Sequence, residues 1–172
     1  MTIADLLADA FSRVRETVAE SLEGLSADQL ATRPPGIDGS HDPANSVAWL
    51  VWHLTRIQDD HVAEAAGRDQ IWLTEGWVER FGLPLEPEDH GFGHSSDQVG
   101  AVRADAGLLL GYHDAVFRRT LDVLPGLVDS GLDRIVDPRW DPPVTLGVRL
   151  VSVLNDDMQH AGQAAYVAGL LR

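Results

Sequence analysis

The feature that most constrains this chain is its C-terminal apolar run. Between Thr145 and Leu171 the residues Leu146, Val148, Leu150, Val151, Val153, Leu154, Ala161, Ala164, Val167 and Leu170 leave almost no polar face to a helix. A helix apolar nearly all round belongs in the interior of a bundle. Yet the segment "VLNDDMQHAGQ", Val153 to Gln163, sets two aspartates and a histidine in the middle of it. An unpaired buried carboxylate is strongly unfavourable or takes up a proton, so the Asp156 region requires a partner from elsewhere in the chain.

Three further helical patterns precede that run. Thr2 and Asp5 have capping-box spacing, and Ile3, Leu7, Phe11, Val14, Val18, Leu22 and Leu25 follow in one stripe. After "RPPGIDGSHDP" a second helix is expected from about Pro43 to Ala66, begun by Asp42 before Pro43 or by Asn45 and Ser46, and ended at Gly67. Residues 67–94 read as an irregular crossover with short helical turns. Ser95 and Gln98 cap a third helix whose stripe runs through Val99, Val102, Ala106, Leu109, His113, Val116 and Val123 to the stop at Pro125 and Gly126. Strand alternation is not evident. The expectation is an all-α single domain over residues 1–172, a four-helix bundle with a long crossover between its second and third helices.

Composition removes several kinds of chemistry. The 172 residues carry 13 basic against 27 acidic groups, a net charge of −14, which disfavours nucleic acid and anionic membrane surfaces as partners. All the basic residues are arginine, so lysine Schiff-base and general-base chemistry are excluded. Cysteine is absent, which removes disulfides, thiolate metal ligands and a cysteine nucleophile. Aspartates near the N-terminus where a signal peptide carries positive charge, and no apolar stretch of spanning length, suggest a cytoplasmic protein.

The polar residues on core faces can be matched to one another. Asp156 and His160 are spaced i and i+4 on one face of the last helix, with Val153 and Arg149, while Asp157 and Gln159 point elsewhere. His53 lies on the buried stripe of the second helix, between Leu50 and Ile57. Two imidazoles and a carboxylate are the protein's usual share of an open zinc site or of a facial triad for another divalent metal. The residues alone also allow a solvated Asp156/His160 ion pair with His53 as a hydrogen-bonded core histidine. His113 is a substitute ligand; His61 marks the solvated end of its helix with Asp60, His94 sits by a helix N-terminus, and His41 and His90 are loop residues.

The segments "SVAWLVWHLTRIQDDHV" and "LNDDMQHAGQAAYVAGLL" resemble the two signature helices of the DinB-like superfamily, in particular its actinobacterial branch of small thiol-dependent enzymes. The resemblance extends over nearly the whole chain and implies an up-down-down-up bundle with a metal, Zn2+ first and Ni2+ or Fe2+ as alternatives, held by His53, Asp156 and His160. Its "HAGQ" matches the family's H-x-G-Q run, whereas the middle ligand in relatives is histidine or glutamate, so Asp156 reaches less far from its helix. The activities implied are mycothiol-dependent S-transfer or maleylpyruvate isomerisation. Mycothiol would then be the thiol co-substrate, a small electrophile the second substrate, and a homodimer a form that relatives take. On this reading Arg149 receives a carboxylate of thiol or substrate, and Trp52 and Trp140 supply an apolar wall, with Trp72 and Trp77 in the lid. Two alternatives stand beside it: a metal-dependent hydrolase or isomerase that uses bound water, and a non-catalytic, stress-associated ligand-binding bundle.

Overall fold

In a computed structural model, which describes residues 1–36 and 43–172, the chain is almost entirely helical. The proposed helix start at Asp42 and the loop histidine His41 lie outside the described residues. Helix α1 (Ile3–Leu22) begins at the expected capping box: Asp5 N–H donates to Thr2 Oγ1 at 3.1 Å, and Thr2 N–H to Asp5 Oδ2 at 2.8 Å. It buries Leu7, Phe11, Val14, Val18 and Leu22. After the single turn α2 (Ala27–Leu30), helix α3 (Val47–Ala66) starts at Ser46, whose hydroxyl accepts from Trp49 N–H. It is buried without interruption from Val47 to Asp59, because α7 (Ala106–Val123) and α8 (Leu146–Leu171) both pack on it. Gly67 ends it with φ +63.

The crossover is anchored rather than loose. It holds α4 (Ile71–Thr74) and α5 (Trp77–Phe81), and the buried carboxylate of Asp59 ties it to the bundle. That group accepts from Ile71 N–H at 3.1 Å, Trp72 N–H at 2.9 Å and Tyr112 Oη at 2.9 Å. Burial raises its pKa although these hydrogen bonds and Arg56 oppose the shift. Farther on, Trp72 Nε1 donates to Pro87 O at 2.8 Å, and Arg56 Nε to Asp89 O at 3.2 Å.

Three expectations are corrected. The third helix is two: α6 (Ser96–Ala101) and α7 (Ala106–Val123), separated where Val102 is extended and Asp105 starts a new helix by accepting Leu108 N–H at 2.8 Å. A local side-chain cap here overrides a continuous apolar stripe. A small antiparallel hairpin is present, β1 (Ile135–Asp137) on β2 (Val144–Thr145), too short for alternation to register in the sequence. Finally, α8 (Leu146–Leu171), capped by Thr145, is not buried all round. Leu150, Val153, Asp157, Ala161, Ala164 and Ala168 form its buried stripe, while Val148, Val151, Met158, Tyr166 and Leu170 are exposed.

Helices α1 and α3 each pack against both α7 and α8. One apolar cluster joins Val14, Val18, Leu50, Leu54, Leu109, Val116 and Ala164; a second joins Leu7, Phe11, Val62, Leu150 and Val153 at the other end. Among the described residues, no helix is long and apolar enough to cross a membrane.

Candidate metal centre

The α3–α8 packing brings His53, Asp156 and His160 together. One ligand atom from each lies within 4.8 Å of the others, and the two imidazole centroids are 4.9 Å apart. Ligands of one zinc, at about 2 Å per bond, lie roughly 3–4 Å apart, so a contraction of about an ångström closes the set.

The hydrogen bonds behind the imidazoles decide which nitrogens are free. His53 Nδ1 lies 2.6 Å from the carbonyl oxygen of His90. A carbonyl can only accept, so Nδ1 carries the proton and Nε2 keeps its lone pair. His160 Nδ1 lies 2.8 Å from Oε1 of Gln163, which accepts its proton in the same tautomer. His160 Nε2 then faces Asp156 Oδ1 at 3.6 Å, too long for a hydrogen bond and with no proton on either atom when the carboxyl is ionised. Asp156 Oδ2 is buried with no partner among the described residues. Each of the three side chains thus keeps an unshared electron pair, and their nitrogen and oxygen chemistry fits a divalent cation.

Burial, the largest influence, lowers the His53 pKa, although the His90 carbonyl and the Asp156 charge pull it upward. The Trp49 ring stacks on His53 at 4.6 Å and meets His160 edge-on at 6.2 Å. Trp49 Nε1 donates to His94 Nδ1 at 3.1 Å, so His94 carries its proton on Nε2 and donates it to Asp89 Oδ1 at 2.9 Å. The segment from Asp89 to His94 is thereby fastened over the His53 ring.

Two cavities are each lined by a residue bonded to one imidazole, though not by the three cluster residues themselves. The first, about 550 Å³, is lined by His90 with Asp60, His61, Glu64, Gln70 and Arg139. The second, about 790 Å³, is lined by Gln163 with Pro34, Leu50, Gln159, Tyr166 and Leu170.

The other sequence candidates are placed differently. Arg149 is mostly buried and pairs with Asp137 at 3.0 Å and Glu64 at 3.5 Å. Trp52 is fully buried and stacks on His94 at 5.8 Å, whereas Trp140 is exposed in the β1–β2 connection. Trp72 and Trp77 pack against Tyr112 in the core. His113 lies outside the cluster, 3.0 Å from Thr55 Oγ1. The His90 carbonyl is marked by no side-chain pattern in the sequence, whereas the i+3 spacing of Gln163 from His160 does mark the amide.

Asp157, read as pointing elsewhere than Asp156 and His160, turns into the interior. It is completely buried, and neither oxygen has a hydrogen-bond partner among the described residues. Burial, with the neighbouring Asp156 charge, pushes its pKa well above the usual carboxylate range. Burial without a partner opposes ionisation of this carboxyl, a cost that an amide of the same shape does not carry. Asp157→Asn in metal-free protein is expected to raise stability by about 1–3 kcal/mol. Urea denaturation measures this, and an unchanged or lower midpoint contradicts it.

A comparison with known protein families matches the DinB superfamily over residues 10–164. Among solved structures, the crystal structure of a conserved protein from Enterococcus faecalis superposes with a TM-score of 0.88 at 31% identity, covering 99% of this chain and 98% of that one. No curated protein matches.

Proposed function

This chain belongs to the DinB superfamily, and from that premise we propose a metal-dependent S-transferase that activates a low-molecular-weight thiol, mycothiol being the candidate, for attack on a small electrophile. The observation that carries the proposal is the cluster of His53, Asp156 and His160 with both Nδ1 atoms tied back to oxygen acceptors. The up-down-down-up bundle of the family is the arrangement this reading takes, with zinc as the first metal to test.

A divalent cation in this cluster supplies charge that favours thiolate over thiol near neutral pH. His53 and His160 present Nε2 lone pairs, and Asp156 contributes the negative charge that holds such a cation. The His90 carbonyl and the Gln163 amide orient the two rings. Trp49 covers one face of His53 and keeps water from it. The chain has no cysteine, so a reacting thiol comes from outside. The cavity beside His90 carries groups of both charges and suits a polar thiol, whereas Leu50, Tyr166 and Leu170 give the other an apolar wall suited to the electrophile.

The test uses protein purified without a polyhistidine tag, loaded with zinc, and given monobromobimane with mycothiol or with another thiol. Conjugate formation above the uncatalysed rate, dependent on both metal and thiol and lost in His53→Ala, is the expected result. A rate equal to that of thiol and electrophile alone overturns the proposal, and electrophile loss without any thiol reassigns the centre to water chemistry.

A further inference from the structure

We infer that Gly91 is the positioning residue of His53: its missing side chain is what lets the His90 carbonyl reach the imidazole and hold it as a donor at Nδ1. A Cβ at position 91 would lie 2.7 Å from His53 Nδ1, 3.1 Å from the Trp52 ring and 3.2 Å from the Trp49 ring. The first separation is shorter than carbon and nitrogen tolerate, and the second and third come from indole rings fixed in the core. The Gly91 backbone therefore rests directly on the His53–Trp49–Trp52 surface, at a φ of +96 that a residue with a side chain rarely adopts.

The surrounding hydrogen bonds hold the backbone in that place. Gly91 N–H donates to Asp89 Oδ1 at 3.1 Å, and the same oxygen receives His94 Nε2–H at 2.9 Å. Arg56 Nε fixes the Asp89 carbonyl at 3.2 Å, and Trp49 Nε1 fixes His94 at 3.1 Å. A short strap from Asp89 to His94 is thus tied at both ends to α3, with Gly91 in contact with the ring and the His90 carbonyl aimed at Nδ1. Any side chain at 91 must lift the strap or turn the ring, and either motion breaks the 2.6 Å bond that fixes the tautomer.

Gly93 supplies the control within the same strap. It also has a positive φ, +75, but a Cβ there meets open space. Gly91→Ala and Gly93→Ala share the backbone strain and differ in the contact with His53. The inference deepens the metal-site reading above, and its test has one arm that needs no metal. In apo protein, long-range proton–nitrogen-15 spectra of the imidazoles, assigned by difference against His53→Gln, are expected to show a single Nδ1–H tautomer for His53 in the native chain and in Gly93→Ala. Gly91→Ala is expected to show averaging or the Nε2–H form. Titration with zinc is expected to show affinity about 10–100-fold weaker for Gly91→Ala than for Gly93→Ala.

A retained Nδ1–H tautomer in Gly91→Ala overturns the inference, as does a lost tautomer with zinc affinity equal to that of Gly93→Ala. If the native chain takes up no zinc, the metal-site reading falls, and the tautomer arm alone decides the role of Gly91. Should Gly91→Ala not melt cooperatively, Asp89→Ala decides, since it releases Gly91 N–H and His94 without adding bulk: a mobilised His53 supports the inference and an unchanged one overturns it.

Discussion

Alanine in place of His160 is expected to reduce bound zinc from about one equivalent to almost none and to abolish stabilisation by added zinc. Three protein ligands are the minimum of an open zinc site, and removal of one leaves a two-ligand set that competes poorly with water. In the native chain, zinc that binds the folded state alone, at a hundred times its dissociation constant, adds about 2.7 kcal/mol of stability. For a domain of this size that corresponds to a rise in melting temperature of roughly 5–10 °C. Without zinc, His160→Ala should melt close to the native chain. Its ring is partly exposed, and its Gln163 partner lines an open cavity and can turn to water. The separation of the two melting curves on adding zinc is therefore the measurement. Equal shifts in the native chain and in His160→Ala sink the metal centre, whereas an unshifted His53→Ala and an unshifted Asp156→Ala extend the result to each ligand. Asp156→Glu tests the shorter reach of aspartate: tighter zinc binding in the glutamate variant indicates that the carboxylate is otherwise stretched toward the metal.

How far the fold and site were legible depends on which physical effect set each residue's position. Periodicity and capping are local, so the capping box at Thr2 and the stop at Gly67 could be read directly, and Ser46 stood among the possible starts of its helix. The His53, Asp156 and His160 set was legible because each residue interrupts an otherwise apolar stripe, and interruptions of that kind need an explanation. Which way α8 turns its apolar surface was not legible. Leu146 to Leu171 is apolar on more than one side, and only the positions of α1 and α3 decide that Asp157 is buried while Val151 and Tyr166 are exposed. Arg149 shares the face of Asp156, as its i+7 spacing requires, but Asp137 in the hairpin takes its guanidinium. The strap was invisible for a different reason, since a backbone carbonyl at His90 and a close approach at Gly91 leave no periodic trace. "HGFGH" shows glycines, yet nothing in it separates the one that touches the ring from the one in open space.

Acid is expected to destabilise the protein through His113, by about 3 kcal/mol between pH 6.5 and pH 4. This ring is completely buried on α7, and burial, the largest influence, lowers its pKa to about 4; the Asp114 charge raises it and the Arg15 charge on α1 lowers it. Arg15 and Asp114 pair with one another at 2.6 Å, so their opposing effects largely cancel at the ring. From α3, Thr55 Oγ1 donates to Val51 O and accepts from His113 Nδ1–H, and Nε2 is left without a partner among the described residues. Among the described residues, the Asp114 charge favours an imidazolium here, and burial with the Arg15 charge outweighs it. Above pH 6.5 the histidine is neutral in both folded and unfolded chains, and its contribution to stability is fully present. As pH falls below 6.5 the unfolded chain binds a proton that the native one refuses, so stability falls at a limiting rate of about 1.4 kcal/mol per pH unit. Below pH 4 both states are protonated and the loss stops growing. His113→Leu, close in volume, removes the titration and leaves Thr55 bonded to Val51. At pH 7 the variant is expected to lie within about 1 kcal/mol of the native chain, the size of one net hydrogen bond. Near pH 4.5 it is expected to exceed the native chain by about 2 kcal/mol. Carboxylates that lose native partners in acid, Asp60 and Asp89 among them, act on both chains alike and cancel in the difference. Urea midpoints across this range give that difference directly, and parallel pH profiles would show that His113 titrates normally and that the buried ring is not as dry as its packing implies.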